Sequence, residues 1–300
     1  MTDIRFDGRV VIVTGSGGGL GRAHALEFAR RGAKVVVNDL GADLDGSSGG
    51  SAAAEAVVAE ICAAGGEAIA DGGSVADPAG AKGLVQRALD AWGRIDVLVA
   101  NAGILRDRSF AKMEVADFEA VVDVHLMGAV LPIKAAWEIM RAQAYGRIVL
   151  TTSSTGLYGN FGQTNYGAAK LALVGLMNSL KLEGEKANIR VNAISPIAGT
   201  RMTEGVMSPQ MLEALKPEFV TPGVIHLASE DAPTGAILTA GAGVFALARI
   251  VETEGAVLTG DLTAEAVRDQ WAEIADPTGA QSYGQGLEQA AKFLRRLQGG

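Results

Sequence analysis

The sequence predicts an α/β fold, a single doubly wound parallel sheet of about seven strands with helices on both faces. The first observation is that short apolar runs alternate seven times with longer segments of helical spacing, which is the pattern of a parallel sheet with crossover helices. The second is a glycine-rich turn that joins the first strand to the first helix. The third is a set of polar side chains at the end of a later strand, where open sheets of this class hold their ligands.

The glycine-rich turn follows the β-branched run Val10–Thr14, which predicts the first strand. Helical spacing follows over residues 22–31, with Gly32 as the stop signal. Glycines allow a tight turn and a close approach of the backbone to a ligand, and the helix N-terminus can receive a pyrophosphate. A P-loop is excluded because the turn does not end in Gly-Lys-Ser/Thr. The turn residues predicted to hold a cofactor are Gly15, Gly19, Leu20 and Gly21.

The second predicted strand, residues 33–38, ends at Asp39. An acid just beyond this strand is placed to accept hydrogen bonds from a ribose 2′-OH, and it would repel the 2′-phosphate of NADP. Its distance from the glycine turn is close to the ~20 residues of dinucleotide-binding units. We therefore interpret Asp39 as a selector for NAD, with a solvated loop acid as the alternative.

The remaining elements follow in alternation. Asn101 and Gly103 come directly after the fourth strand and suit a backbone that runs close to a ligand. The further strands are predicted at residues 67–70, 95–100, 147–152, 189–194 and 236–239. The further helices are predicted at residues 52–64, 81–92, 117–127, 129–143, 166–183 and 222–227.

The strongest candidates for catalytic residues are Ser153, Tyr166 and Lys170, which lie in one segment. If Tyr166 opens a helix, it lies one turn from Lys170 on the same face. Ser153 ends a strongly apolar strand, at the edge of the sheet where ligands bind. The three groups are a hydroxyl to polarise an oxygen, a phenol to move a proton and an ammonium to favour the phenolate. Burial alone would raise the pKa of the phenol, so we expect Lys170 to outweigh burial.

Composition restricts the class of protein. The 300-residue chain has a formal net charge of −8, which argues against nucleic-acid or anionic-membrane binding. No apolar run approaches the ~18 residues of a membrane helix, and neither a signal peptide nor a peroxisomal C-terminal address is present. The one cysteine, Cys62, excludes an intrachain disulfide and a multi-cysteine zinc site and is expected in the core. We predict a cytoplasmic protein that acts on a small molecule without a metal.

Two domains are predicted, 1–245 for dinucleotide binding and catalysis and 246–300 as a C-terminal helical extension. The alternation of strands and helices ends near Gly243, and two helices are predicted at 263–274 and 285–297. The extension is too short for a core of its own. We expect it to wrap the main domain or a partner subunit.

Four motifs carry a family resemblance over roughly residues 8–245. They are Thr14-Gly15-x-x-x-Gly19-x-Gly21, Asn101-Ala102-Gly103, Ser153 and Tyr166-x-x-x-Lys170. The chain resembles the short-chain dehydrogenase/reductase family, which implies a Rossmann-type sheet and NAD as the cofactor. By resemblance, Tyr166 is the general acid/base, Ser153 binds the substrate oxygen, and Lys170 holds the nicotinamide ribose and lowers the pKa of Tyr166. The resemblance places Asn101 and Gly103 beside the adenosine, and the backbone at Pro196 and Ile197 beside the nicotinamide amide.

Further segments narrow the resemblance to the (3R)-hydroxyacyl-CoA dehydrogenases of this family. They are residues 37–39, the loop from 41, and 101–110, 158–163, 201–203 and 214–218. This implies oxidation of a (3R)-3-hydroxyacyl-CoA by a homodimer or homotetramer. The alternatives are a 17β-hydroxysteroid dehydrogenase and a 3-oxoacyl-thioester reductase, which Asp39 disfavours because biosynthetic reduction usually draws on NADPH. Outside enzymes, the alternative is a non-catalytic NAD-binding regulator, which the intact Ser153, Tyr166 and Lys170 disfavour.

Three positions depart from the common family pattern. His125 occupies the place of an asparagine that steadies a proton-relay water, so we predict a modified relay, with a packed interior histidine as the alternative. Gly73 stands where an acid usually caps the adenine, so the backbone of Ser74 and Val75 is predicted to make those contacts, or Asp71 reaches in. Ile197 replaces a frequent glycine after Pro196.

For each of five side chains near these motifs, two interpretations remain open. Tyr158 and Phe161 either line an acyl pocket or pack the loop. Arg106, Arg108 and Arg201 either meet CoA phosphates or are solvated loop arginines.

Overall fold

The computed structural model describes residues 3–41, 50–199 and 208–298 of the chain. Within these ranges the strands are β1 Val10–Thr14, β2 Lys34–Asn38, β3 Glu67–Asp71, β4 Val97–Ala100, β5 Gly146–Thr151, β6 Ile189–Pro196, β7 Ile237–Gly241 and β8 Val244–Ala248. These eight strands form one sheet in the order β3-β2-β1-β4-β5-β6-β7-β8. The predicted α/β class is confirmed, and β8 is the one strand beyond the seven predicted.

Strands β1 to β7 pair in parallel, and their registers align the β-branched runs. β1, β4 and β5 are buried along their whole length, because helices cover both faces of a parallel sheet. β8 follows β7 after two residues, Ala242 and Gly243, both at positive φ. That geometry matches a type I′ hairpin turn, so β8 runs antiparallel at the edge of the sheet.

Within the described residues the helices are α1 Gly19–Arg30, α2 Ala52–Ala63, α3 Pro78–Trp92, α4 Val115–Val122, α5 Gly128–Gln143, α6 Ser154–Tyr158, α7 Thr164–Gly184, α8 Pro209–Ala214, α9 Thr221–Leu227, α10 Ala264–Asp269, α11 Trp271–Ile274 and α12 Gly286–Gln298. Within residues 1–247, one layer packs α1 with α2 and α9, and the other packs α3 with α5 and α4 with α7.

Helices α4 and α5 form one continuous run, Val115–Gln143, joined by a π-helical turn at Asp123–Met127. By length and composition this run could span a membrane, so the expectation that no apolar run approaches ~18 residues is wrong. Its apolar side chains serve the core instead: Ala136 and Met140 are fully buried where α5 lies against α3 and β5.

Cys62 is exposed, so its predicted place in the core is also wrong. The buried residues of α2 are Ala54, Val57 and Ile61, which lie three and four positions apart on one face. Cys62 follows Ile61 directly and is therefore rotated by about 100° away from that face.

The contacts divide the chain into two compact units, 1–247 and 248–300. The second unit contains α10 to α12 and a short antiparallel bridge between Glu252 and Gln281. Lys292 on α12 is buried and donates to the carboxylate of Glu252 at 3.1 Å. A partly buried ion pair thus ties α12 to the chain that precedes the two short helices.

Candidate active site

A cavity of about 250 Å³ opens at the carboxyl ends of the strands, beside the point where the order of the sheet reverses. The predicted residues that line it are Gly15, Gly19, Leu20, Asp39, Ser74, Val75, Asn101, Gly103, His125, Ser153, Tyr166, Lys170 and Pro196. Two predicted cofactor residues, Gly21 and Ile197, do not line it.

Several lining residues were missed by the sequence reasoning. They are Gly18, Asn38, Leu40, Gly73, Ala102, Ile104, Val124, Thr151 and Thr152. Most of them are direct neighbours of predicted residues. Asn38, Thr151 and Thr152 are the last residues of the predicted strands 33–38 and 147–152, so including the ends of those strands would have found them.

The glycine-rich turn is built by close contacts between backbones. A Cβ on Gly21 would meet the carbonyl oxygen of Gly15 at 2.2 Å, so Gly21 allows the helix to pack on the turn and does not face a ligand. Gly15 and Gly19 have φ of +62° and +51°, a region that disfavours other residues. The side chain of Asn101 donates to the carbonyls of Thr14 and Gly15 at 3.0 Å each. Asn101 therefore fixes the turn, and its amide is already occupied.

Both carboxylate oxygens of Asp39 accept backbone hydrogen bonds. The N–H groups of Gly17 and Gly41 donate to them at 2.7 Å each. A Cβ on Gly17 would lie 2.8 Å from the carboxyl carbon of Asp39, so glycine at 17 lets the carboxylate approach the turn. A carboxylate has about four acceptor sites, so Asp39 retains capacity for a ligand hydroxyl.

Asp71 does not reach into the cavity, which removes one of the two alternatives for the adenine contacts. Its carboxylate accepts from the Asn38 amide at 2.7 Å and from the Gly73 N–H at 3.0 Å. Asn38 also donates to the Gly73 carbonyl at 2.9 Å. These bonds hold the backbone that leads to Ser74 and Val75, which do line the cavity.

Ser153 is the N-cap residue of α6 and follows β5 by two positions. Its Oγ accepts from the Thr155 N–H at 3.1 Å. The Ser153 hydroxyl is close enough to the phenol of Tyr166 to lower the pKa of that phenol by hydrogen bonding, and both side chains line the cavity.

Tyr166 lies in the first turn of α7, and burial raises the pKa of its phenol. The Ser153 hydrogen bond lowers this pKa and the charge of Asp107 raises it, but burial is the largest effect. The expectation that Lys170 outweighs burial is therefore wrong for the protein by itself. Burial also lowers the pKa of Lys170 to about 7, so the Lys170 amine is neutral at the pH where a phenol titrates and adds no positive charge there.

Lys170 is buried, and burial lowers the pKa of its ammonium to about 7. Its Nζ donates to the Thr151 carbonyl at 2.5 Å. Helix α7 carries it one turn beyond Tyr166, as the sequence predicted. Thr152 joins the two elements further, since its hydroxyl donates to the carbonyl of Lys170 at 2.6 Å.

His125 is buried in the π-helical turn, and its ring meets that of Tyr166 edge to face, with centroids 5.1 Å apart. Its Nε2 lies 2.8 Å from the Ile104 carbonyl. Burial, followed by the charge of Lys170, holds the pKa of His125 well below its ordinary value. Among the described residues, the buried His125 Nδ1 and Thr151 Oγ1 have no hydrogen-bond partner. Both residues line the cavity, so the site offers polar atoms that a ligand or water could use.

Tyr158 and Phe161 are 75% and 93% exposed and line no part of the cavity, so neither of their predicted roles is found. Arg106 pairs with Asp117 at 3.1 Å, and Arg108 lies 4.0 Å from the same carboxylate. Arg201 and the segment 201–203 lie outside the described residues, as does most of the loop after residue 41. Within the described ranges, no group of three His, Cys, Asp or Glu could hold a metal ion.

Comparison with known proteins gives consistent matches. A family model described as short chain dehydrogenase matches residues 9–210. The chain is 53% identical over 281 residues to peroxisomal multifunctional enzyme type 2 of Mus musculus, covering 92% of this chain and 38% of that protein. It is 50% identical over 277 residues to a putative short-chain type dehydrogenase/reductase of Mycobacterium tuberculosis, covering 92% of this chain and 97% of that protein.

Among solved structures, a 7α-hydroxysteroid dehydrogenase complexed with NADH and 7-oxo glycochenodeoxycholic acid matches with a TM-score of 0.73 and 28% identity. The match covers 81% of this chain and 98% of that one. The chain thus spans well under half of the mouse relative but nearly the whole length of the mycobacterial one.

Proposed function

The chain belongs to the short-chain dehydrogenase family of oxidoreductases, and on that premise we propose that it oxidises (3R)-3-hydroxyacyl-CoA to 3-oxoacyl-CoA with NAD. The observation that carries the proposal is that Ser153, Tyr166 and Lys170 meet in a cavity that also reaches Asp39. A group that moves a proton and a group that selects a cofactor are thus parts of one site.

The residues present fit NAD. The N-terminus of α1 and the glycine-rich turn can receive its pyrophosphate, and Asp39 can accept from a ribose hydroxyl. The unpartnered Thr151 Oγ1 and the Lys170 ammonium are polar groups for the second ribose. The related 7α-hydroxysteroid dehydrogenase is a complex with NADH, which supports the same choice of cofactor. NAD, when bound, supplies the hydride acceptor and a positive charge.

In the proposed mechanism, the substrate alcohol lies between Ser153 and Tyr166. The Ser153 hydroxyl hydrogen-bonds the substrate oxygen, and Tyr166 takes the proton as that oxygen becomes a carbonyl. Because burial raises the pKa of Tyr166, its ionisation depends on the positive charges that gather beside it. Lys170 contributes one of them and is held in place by the Thr151 carbonyl.

We propose that His125 takes part in proton transfer from this site. It lies against Tyr166, its Nδ1 has no partner among the described residues, and its lowered pKa keeps the imidazole neutral. A neutral imidazole has one nitrogen that donates and one that accepts. His125 can therefore hold a water near Lys170 without adding a charge.

The substrate class rests on the segments of resemblance and on the identity to the mouse multifunctional enzyme. A hydroxysteroid substrate is the second candidate, because a bile-acid dehydrogenase of the same fold matches most of the chain. The lower identity of that protein, 28% against 53%, favours the acyl-CoA substrate.

The remaining properties are proposals of the same kind. We propose that residues 1–245 form the catalytic domain and 246–300 an extension, and that the protein is a homodimer or homotetramer that binds neither nucleic acid nor membrane.

The cytoplasmic location stays a prediction, and the name of the mouse relative points to peroxisomes for that protein. Imaging of the tagged chain in its own cells distinguishes the two locations.

The test of the function is the appearance of NADH with three substrates, a (3R)-hydroxyacyl-CoA, its (3S) isomer and a 17β-hydroxysteroid. We expect turnover with the 3R thioester and little with the other two. A preference for the steroid would move the function to steroid metabolism. Turnover of the 3S isomer alone would contradict the proposed stereochemistry.

A further inference from the structure

Asn165, the residue directly before Tyr166, is fully buried in the first turn of α7. Its Nδ2 donates to the Arg106 carbonyl at 3.0 Å and to the Asp117 carbonyl at 3.4 Å. Its Oδ1 accepts from the backbone N–H of Tyr166 at 2.8 Å. Both donors and the oxygen of the amide are therefore engaged, and these partners allow only one orientation of the amide.

The backbone N–H of Tyr166 belongs to the first turn of α7, where N–H groups have no partner within the helix. Gln163, the N-cap residue, makes no side-chain capping bond. The first bond of the helix runs from the Gly167 N–H to the Gln163 carbonyl at 2.7 Å. The side chain of Asn165 thus supplies the partner of the Tyr166 N–H, and the backbone that carries the phenol is held through it.

The same amide joins the three elements whose side chains support Tyr166. Tyr166 packs against a buried apolar cluster of Ile104, Val121 and Ala169. These three residues belong to the loop after β4, to α4 and to α7. Asn165 lies on α7 and donates to one carbonyl of each of the other two elements. Without the amide, the three elements could move relative to one another beneath the phenol.

A second buried side chain holds the same loop at a different residue. The Nε2 of His125 lies 2.8 Å from the Ile104 carbonyl, and the ring of His125 meets that of Tyr166 edge to face. His125 lines the cavity, whereas Asn165 does not. Asn165 therefore acts on the site only through Tyr166 and the elements packed against it.

We propose that Asn165 is a positioning residue for Tyr166, whose buried amide holds the phenol in the place from which it takes the substrate proton. The proposal rests on Tyr166 as the proton carrier of the proposed function. Because Asn165 lies outside the cavity, its loss should slow the chemical step and leave the affinity for NAD unchanged. Misplacement of a reacting group by about 1 Å costs up to about 100-fold in rate.

β6 offers a matched control for the loss of a buried amide. Asn192 is fully buried, and its Nδ2 donates to the Pro233 carbonyl at 2.7 Å and to the Leu227 carbonyl at 3.4 Å. Its Oδ1 accepts from the Ala236 N–H at 3.0 Å. Asn192 thus makes the same kinds of hydrogen bond as Asn165, but away from the residues that line the cavity.

The first readout is the kinetics of NADH formation by Asn165→Ala and Asn192→Ala. Both variants should unfold at a lower denaturant concentration than the unaltered protein, because each leaves buried polar groups without partners. We expect kcat with the 3R thioester to fall about 10- to 100-fold in Asn165→Ala alone, with the KM for NAD unchanged in both. An equal kcat in the two variants, or a parallel loss of NAD affinity in Asn165→Ala, would make Asn165 a structural residue only.

A second pair of variants covers the case in which Asn165→Ala does not fold. Asn165→Asp and Asn192→Asp keep the shape of the side chain and the acceptor for the backbone N–H, but they lose the two donated bonds. The same difference in kcat is expected between them, and equal values of kcat would overturn the proposal.

The second readout is NMR of protein labelled with ¹³C at the Cζ of tyrosine, which needs no substrate. The chain has four tyrosines, and the signal that disappears in Tyr166→Phe belongs to Tyr166. This signal should shift or broaden in Asn165→Ala and stay in place in Asn192→Ala. A Tyr166 signal that is the same in both variants would overturn the proposal. Inactivity of the unaltered protein toward the 3R thioester would contradict the proposed function instead, and the NMR comparison would still decide the role of Asn165.

Discussion

Tyr166 and Lys170 show that burial outweighs charge at this site. Burial raises the pKa of the phenol and lowers that of the ammonium to about 7, so both groups are driven toward their neutral forms. The spacing of the two residues is visible in the sequence, but the direction of the Lys170 ammonium toward Thr151 is not. In the protein by itself, burial therefore decides the pKa of Tyr166, and Lys170 does not lower it.

Asp39 should decide between NAD and NADP. Asp39→Asn removes the negative charge and places an NH2 group against one of the two backbone donors, Gly17 or Gly41. Hydrogen bonds to a charged group contribute about 1.5–3 kcal/mol, so the ratio of kcat/KM for NAD over NADP should fall by about 10- to 100-fold. Steady-state kinetics with both cofactors measure it, with Asp90→Asn, at an exposed acid on α3, as the control. An unchanged NAD/NADP ratio would show that Asp39 is a solvated loop acid that does not select the cofactor.

Gly103 should be required for the position of His125. A Cβ at this residue would lie 2.2 Å from the Cε1 of His125, so Gly103→Ala must displace the ring from Ile104 and from Tyr166. Misplacement by about 1 Å costs up to about 100-fold in rate. Gly175→Ala, on α7 with nothing within 4 Å, should leave turnover unchanged. Equal activity of the two variants would show that His125 takes no part in the reaction.

At the scale of elements, the strands and the motifs were predictable because each depends on local signals. β-branched runs, the glycine turn and the Tyr166–Lys170 spacing all lie where the sequence placed them. β8 was missed because the hairpin turn at Ala242 and Gly243 contains an alanine at positive φ, which no propensity predicts.

The π-helical turn shows a second limit of the sequence. The predicted helices at 117–127 and 129–143 form one continuous helical run in the structure. His125 lies in the π-helical turn at Asp123–Met127 within that run. π-turns have no strong sequence signal and occur often at functional sites. The role of His125 could be suggested from its position in the chain, but its contacts with Ile104 and Tyr166 could not.

The contact between α1 and α9 should make stability depend on pH. His24 on α1 is buried against the Thr221 hydroxyl at 2.9 Å, and burial lowers its pKa from 6.5 to about 3. The neutral form is favoured in the folded state, so its contribution is complete above pH 6.5 and is lost as the pH falls toward 3. At pH 5 the loss should be about 2 kcal/mol relative to neutral pH.

The measurement is denaturant unfolding at pH 7.5 and pH 5 of the unaltered protein and His24→Gln. The variant should lose less stability between the two pH values, by roughly the same 2 kcal/mol. His226→Gln, on the exposed side of α9, is the control and should behave like the unaltered protein. Identical losses for all three proteins would show that His24 is not the titrating group.

At the scale of the whole molecule, the sheet edge at β8 exposes apolar side chains. Val244, Phe245 and Leu247 are all exposed there, and edge strands of this kind tend to pair with other chains. We predict a mass of two or four times the single-chain 30.8 kDa in light scattering. A charged substitution, Leu247→Lys, should lower the mass if β8 takes part, and a monomeric unaltered protein would contradict the prediction.

The most direct test of the account is the turnover of Tyr166→Phe with the 3R thioester and NAD. Removing the phenolic oxygen should lower kcat by roughly 10²- to 10⁴-fold, the range for general acid–base catalysis, while binding of NAD persists. Tyr158→Phe, which changes an exposed tyrosine outside the cavity, should keep normal turnover. Near-normal turnover of Tyr166→Phe would contradict the account, because Tyr166 is the group that takes the substrate proton in the proposed mechanism.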